Sequence, residues 1–169
     1  MSGTETAVRV GGKAEPLFHI ALIEPEIPGN AGNVGRLCLN VGARLHLVHP
    51  LGFQTDEKAV RRAGLDYWKH VDCVEHESLA VFDVWVSGQS GKLYVLSSHA
   101  AQTYTSAEFR AGDILAFGKE SVGLAPEWAA RHHGLRIPMV GPTRSLNVAN
   151  AASVVAYEAL HQIRPDLFG

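Results

Sequence analysis

The chain has 169 residues, 46% of them hydrophobic and 19% charged, with a formal net charge of −2. That suffices for one domain with a real core and is too little for two, and no apolar run approaches the ~20 residues needed to span a bilayer. A pI near 6.5 argues against a globally basic nucleic-acid binder and leaves only a local basic patch to hold RNA.

The first fifteen residues, MSGTETAVRVGGKAE, are polar and contain no apolar signal-peptide core. Residues 1–16 read as a flexible tail and 17–169 as a single domain. FHIALIE at 18–24 predicts a buried strand, followed by a loop and a helix over 31–41. RLHLV at 44–48 predicts a second strand, 56–63 a short charged helix and 76–86 a longer one. Strands follow at 93–97 and 114–117. A short helix starts at Pro126, whose missing N–H suits a first turn. A last strand is predicted at 136–139. Ser145 and Asn147, good N-terminal caps, then open a long helix over 147–163. Alternating strands and helices with continuous apolar strands predict an α/β fold: a mainly parallel sheet with helices on both faces. Ligands of such sheets bind beyond the carboxyl ends of the strands.

Cys38 and Cys73 lack metal-ligand spacing, and the pattern fits a reduced, cytoplasmic protein. None of the nine histidines forms HExxH or joins a cysteine cluster, so no metal is expected. His132 and His133 read as loop residues.

Three loops rich in glycine, asparagine and serine end apolar strands. The first, PEIPGNAGNVGR at 25–36, spaces its glycines at 29, 32 and 35. That is GxxGxxG, not the GxGxxG of dinucleotide sites, and His49-Pro50 stands where an acidic ribose ligand belongs. Arg36 in the following helix is either an RNA-phosphate ligand or an ordinary surface arginine. The second loop, FGKESVGL at 117–124, carries Glu120, which reads as a hydrogen-bond acceptor or as a solvent-facing turn residue. The third, IPMVGPTRSLN at 137–147, supplies apolar walls and backbone groups suited to an adenine ring, and no Walker loop is present. Lys58, Arg61 and Arg62 share one face of the short helix, near Lys69 and His70. That is a candidate phosphate patch or a solvated face.

PEIPGNAGNVGRLC, LAFGKESVGL and RIPMVGPTRSLNVANAASVVAYEA, in this order and spacing, resemble the three motifs of SPOUT-class RNA methyltransferases. RRAGLDYW at 61–68 resembles the small YibK/TrmL type, tRNA wobble-nucleotide 2′-O-methyltransferases. The resemblance covers roughly 18–163. Two positions depart from the family pattern, near Gly29 and near Lys119, where prolines are common.

The resemblance implies an α/β sheet with a C-terminal trefoil knot that binds S-adenosylmethionine, and a homodimer built on the first and last helices. The face made by Val148, Ala151, Ala152, Val155 and Ala159 fits such a seam, or plain core packing. By motif, Leu96, Gly118, Ile137, Ser145 and Leu146 line the cofactor pocket. Arg36, Glu120, Ser145 and Asn147 form the catalytic set. Asn30 and Asn33 order the first loop, and Tyr157 matches a further family position, or is a helix aromatic at the seam. With Lys58, Arg61 and Arg62 they make the substrate side. The implied activity is 2′-O-methylation of cytidine or uridine at the first anticodon position of tRNA, without metal. The alternatives are a ribosomal-RNA methyltransferase and a non-catalytic RNA-binding module of the same fold.

Overall fold

A computed structural model describes residues 8–10, 14–56 and 66–169. Its eight strands form one sheet. They are β1 (Val8–Val10), β2 (Phe18–Ile23), β3 (Ala43–Val48), β4 (Cys73–His76), β5 (Leu93–Leu96), β6 (Gln102–Thr103), β7 (Ile114–Phe117) and β8 (His133–Arg136). The order across the sheet is β1-β4-β3-β2-β7-β5-β8-β6. The seven strands β2 to β8 run parallel, and β1 closes the edge antiparallel to β4.

The central strands are buried on both faces, so they read as mostly apolar runs, broken by His19, Arg44 and His46. Alternate residues serve two cores. Ile20, Leu22, Leu45, Leu47 and Leu115 face α1 (Pro28–Val41) and α4 (Val148–Ile163). Ala21, Ile23, Val48, Ile114 and Ala116 face α2 (Leu79–Ser87) and α3 (Pro126–Ala129). Gly42 ends α1 at φ 72°, a left-handed geometry that costs glycine little, and its N–H caps the carbonyl of Cys38.

Three sequence expectations need correction, and a fourth reading is narrowed. Helix α1 starts at Pro28, three residues early, because proline suits a first turn that needs no N–H. The helix expected over 76–86 starts only at Leu79, where Ser78 caps α2 by accepting from the Val81 N–H, and His76 instead ends β4, a strand the sequence reading did not predict. The last strand is 133–136, not 136–139. Leu135 pairs in register with Leu96 and is fully buried, whereas Met139 and Val140 run out beyond the sheet. His133 therefore starts a strand. Of the face offered as a seam or as core packing, Ala152, Val155 and Ala159 are buried within the chain's own core, while Val148 and Ala151 are half-buried. The exposed apolar groups of α4 lie on another side, at Val154 and Tyr157.

Val8–Val10, inside the expected tail, supplies β1. The predicted charged helix, with Lys58, Arg61 and Arg62, lies outside the described residues.

Candidate active site

All three motif loops leave the carboxyl ends of parallel strands: β2 and β7, which are neighbours, and β8 two places further on. Together with the turn after β5 they wall a cleft of about 490 Å³, within the range of small-molecule sites. Apolar groups from Leu96, Leu124, Ile137, Met139 and Leu146 face polar ones from Asn30, Glu120, Ser145 and Asn147. Gly118 lets the second loop fold back on itself. A Cβ there would lie 2.3 Å from the carbonyl carbon of Gly123 and 2.4 Å from the Leu124 nitrogen.

A polar network ties the loops together. Glu120 Oε2 accepts from the Glu26 N–H at 2.8 Å. Its Oε1 accepts from the Ile27 N–H and from Asn30 Nδ2, both at 3.2 Å. Asn30 is 6% exposed and presents Oδ1 to Asn147 Nδ2 at 2.9 Å. Asn147 turns its own Oδ1 to the N–H groups of Ala149 and Asn150, capping α4. The amide orientations follow from this network, since each oxygen meets only donors. Carboxylate, first loop and final helix thus form one chain of hydrogen bonds across 117 residues of sequence.

Two further links clasp the first loop to the second. Glu26 Oε1 accepts from the Ser121 hydroxyl at 2.6 Å and its N–H at 3.0 Å, which holds the Glu26 carboxyl below the usual carboxylate range. Lys119 Nζ lies 3.1 Å from Glu24 Oε2. Lys119 is one of the positions that depart from the family pattern, and here its charge is paired across the loops. Glu24 holds φ 51° at the end of β2, an uncommon geometry for a side-chain-bearing residue.

Of the residues named from sequence, Asn30, Leu96, Gly118, Glu120, Ile137, Ser145, Leu146 and Asn147 line the cleft. Asn33, Arg36 and Tyr157 are exposed on α1 and α4 outside it. Sequence reasoning missed Ser97, Ser98 and His99, which follow β5 and line the same wall. The carboxyl-end rule for parallel strands would have found them, because β5 itself was predicted. Arg144, quoted in the third loop without a role, also lines the cleft.

Three converging loops at one edge of a parallel sheet are a fold-level feature; the match of the whole pattern to a family model decides kinship. Residues 17–157 match the SpoU rRNA Methylase family. The chain belongs to that family. A tRNA (cytidine(34)-2′-O)-methyltransferase from Saccharophagus degradans is 44% identical over 151 residues, covering 87% of this chain and 96% of the relative. The enzyme of the same name from Yersinia pestis is 40% identical over 153 residues, with 87% and 94% covered. A solved structure concerned with 2-OH methylation of C/U34 on tRNA superposes with TM-score 0.81 at 46% identity, covering 87% of this chain and 96% of that one. The SpoU methyltransferase AviRb from Streptomyces viridochromogenes, solved with the cofactor AdoMet, gives 0.76 at 27% identity over 91% of this chain and 60% of its own. The mainly parallel α/β sheet expected from sequence is that of these SpoU methyltransferases.

Proposed function

We propose that this SpoU-family chain is an S-adenosylmethionine-dependent tRNA 2′-O-methyltransferase acting on the cytidine or uridine at the wobble position, as a cytoplasmic homodimer. The observation that carries the reading is the cleft itself, which gathers the eight motif residues from four separate segments. The residues present fit the methyl donor. Leu96, Ile137, Met139 and Leu146 offer apolar walls for a flat ring, and Gly118 lets the second loop double back beside it with no side chain in the way. When bound, S-adenosylmethionine supplies a methyl group on a cationic sulfur, so that the ribose 2′-oxygen forms the new O–C bond as the C–S bond breaks.

The chain must hold the RNA, orient the 2′-hydroxyl and ease the loss of its proton. Arg36 stands six residues, ~9 Å of helix, beyond Asn30 on α1, exposed and outside the cleft lining. A guanidinium with pKa above ~12 is a poor base. Its role here is to stabilise the developing alkoxide and to hold a phosphate. Glu120 has both oxygens committed to the first loop, so it positions Asn30 and the α4 cap instead of taking the proton. Ser145 and Asn147 line the cleft where the third loop meets it, and their role is to orient the ribose hydroxyl. The exposed Leu39 on α1 with Val154 and Tyr157 on α4 offers the apolar contact for a second copy.

The test is methyl transfer from labelled S-adenosylmethionine to unmodified total tRNA, with nuclease digestion and mass spectrometry to locate the product. A 2′-O-methyl on the first anticodon nucleotide supports the reading and separates cytidine from uridine. Transfer to ribosomal RNA alone moves the substrate within the family, and cofactor binding without any transfer leaves a non-catalytic module.

A further inference from the structure

The motif RRAGLDYW ends in Tyr67 and Trp68, to which the proposed reaction assigns no part. The structure seats both on the turn of α1 that carries Arg36. The Tyr67 hydroxyl donates to the Gly32 carbonyl oxygen at 2.9 Å. Gly32 is four residues before Arg36, so this carbonyl is the one that the helix ladder gives to the Arg36 N–H. The Arg36 guanidinium carbon lies 5.7 Å from the centroid of the Tyr67 ring, within range of a cation–π contact. Trp68 packs against Gly35 so closely that a Cβ there would lie 2.7 Å from its Cζ3. Gly32, Gly35 and Arg36 thus form a seat for the aromatic pair, and only a side-chain-free Gly35 permits it.

The choice of partner matters chemically. A carboxylate beside Arg36 would offset its charge and occupy its forked N–H donors. A ring face attracts the guanidinium through its quadrupole and leaves those in-plane donors available for anions. Among the described residues, the Arg36 guanidinium has no ion pair and no hydrogen bond, only this ring. Burial pushes the Tyr67 phenol above its ordinary value, and the Arg36 charge draws it back, as proximity requires.

We propose that Tyr67, braced by Trp68 on Gly35, is a positioning residue that fixes the Arg36 guanidinium for RNA phosphate and alkoxide while leaving its hydrogen-bond donors free. The proposal rests on the assignment of Arg36 to catalysis, and the two fail separately.

The experiment compares Tyr67→Phe, Tyr67→Leu and Arg36→Ala in the tRNA methylation assay, with S-adenosylmethionine binding measured by titration. Tyr67→Leu is expected to lower kcat about tenfold, the scale of a lost cation–π contact, with cofactor affinity within about twofold of wild type. Tyr67→Phe keeps the ring face and should recover most of that loss. A Tyr67→Leu enzyme with wild-type kcat, or a Tyr67→Phe enzyme as impaired as the leucine variant, overturns the positioning role even when Arg36→Ala is inactive. An active Arg36→Ala enzyme overturns the catalytic assignment and the proposal with it. Should Tyr67→Leu fail to fold, ultraviolet titration of tyrosine ionisation decides, with Tyr67→Phe identifying the band. The Tyr67 phenol is expected to ionise at higher pH in Arg36→Ala than in wild type, and an unmoved titration overturns the contact.

Discussion

Asn147 Nδ2 donates to Asn30 Oδ1 at 2.9 Å, joining the cap of the last helix to the first turn of the first. One side chain therefore does two jobs, since the Asn147 oxygen also caps α4. Asn147→Ala is expected to cost about 1 kcal/mol of stability from the lost cap alone, and to reduce methyl transfer far more than that cost implies. Urea unfolding and single-turnover methylation measure the two effects separately. Full turnover in this variant would remove Asn147 from the site.

Glu120→Gln keeps the shape of the carboxylate and changes its donors. Glu120 meets N–H groups on both oxygens, so a glutamine must aim its NH2 at the Glu26 N–H or at Ile27 and Asn30. Leaving one such donor pair opposed costs about 1–3 kcal/mol when buried; at this half-exposed site the lower end is expected. Affinity for S-adenosylmethionine should fall as the first and second loops part, while the pH profile of kcat keeps its shape. A profile that loses its acidic limb would instead identify Glu120 as the base.

Gly118→Ala tests the doubled-back second loop. The new methyl would collide with backbone atoms of Gly123 and Leu124, not with a flexible side chain. The loop must open, and cofactor binding by titration is expected to be lost while the global melting transition survives, because the β7 strand before it is unchanged. Wild-type affinity in this variant would place the cofactor elsewhere.

His19, His46 and His76 form a buried chain across β2, β3 and β4. His19 Nδ1 lies 2.9 Å from His46 Nε2, and His46 Nδ1 lies 2.9 Å from His76 Nε2. Phe82 and Trp85 of α2 cover them. Burial, then the Arg44 charge, lowers His19 to about 4, with Asp72 opposing. Burial lowers His76 to about 4. His46 lies well below its ordinary value through burial and its two histidine neighbours. Between about pH 6.5 and 4 the unfolded chain binds protons that the folded chain does not. Stability is therefore full above about pH 6.5 and falls as the pH drops toward 4. Urea midpoints across this range should decline more steeply for wild type than for His19→Gln, and parallel curves would sink the assignment.

Most of the fold was legible because the strands that matter are buried on both sides. FHIALI, LYVL and ILAF are apolar but for His19 and are followed closely by glycine, serine or proline turns, so composition and punctuation agree. The shifted elements lie where that agreement lapses. β4 is CVEH, too short and too polar to be predicted as a strand, and pairing with β3 makes it one. HGLR at 133–136 has one strongly apolar residue, whereas IPMV beyond it has three, yet it is Leu135 that fills the core.

The motifs themselves, with their order and spacing, pointed to the family and to eight residues of the cleft, because glycine, asparagine and serine in such loops answer to local backbone geometry. Tertiary structure decided what each side chain touches. Glu120 became a clasp and not a free acceptor, since the Glu26 and Ile27 amides lie 94 and 93 residues away in sequence. Ala152, Val155 and Ala159 became core and not interface. Tyr67 came to rest on Arg36. These are long-range juxtapositions created by strand order, and strand order follows from the packing of the whole sheet, which no local stretch of sequence encodes.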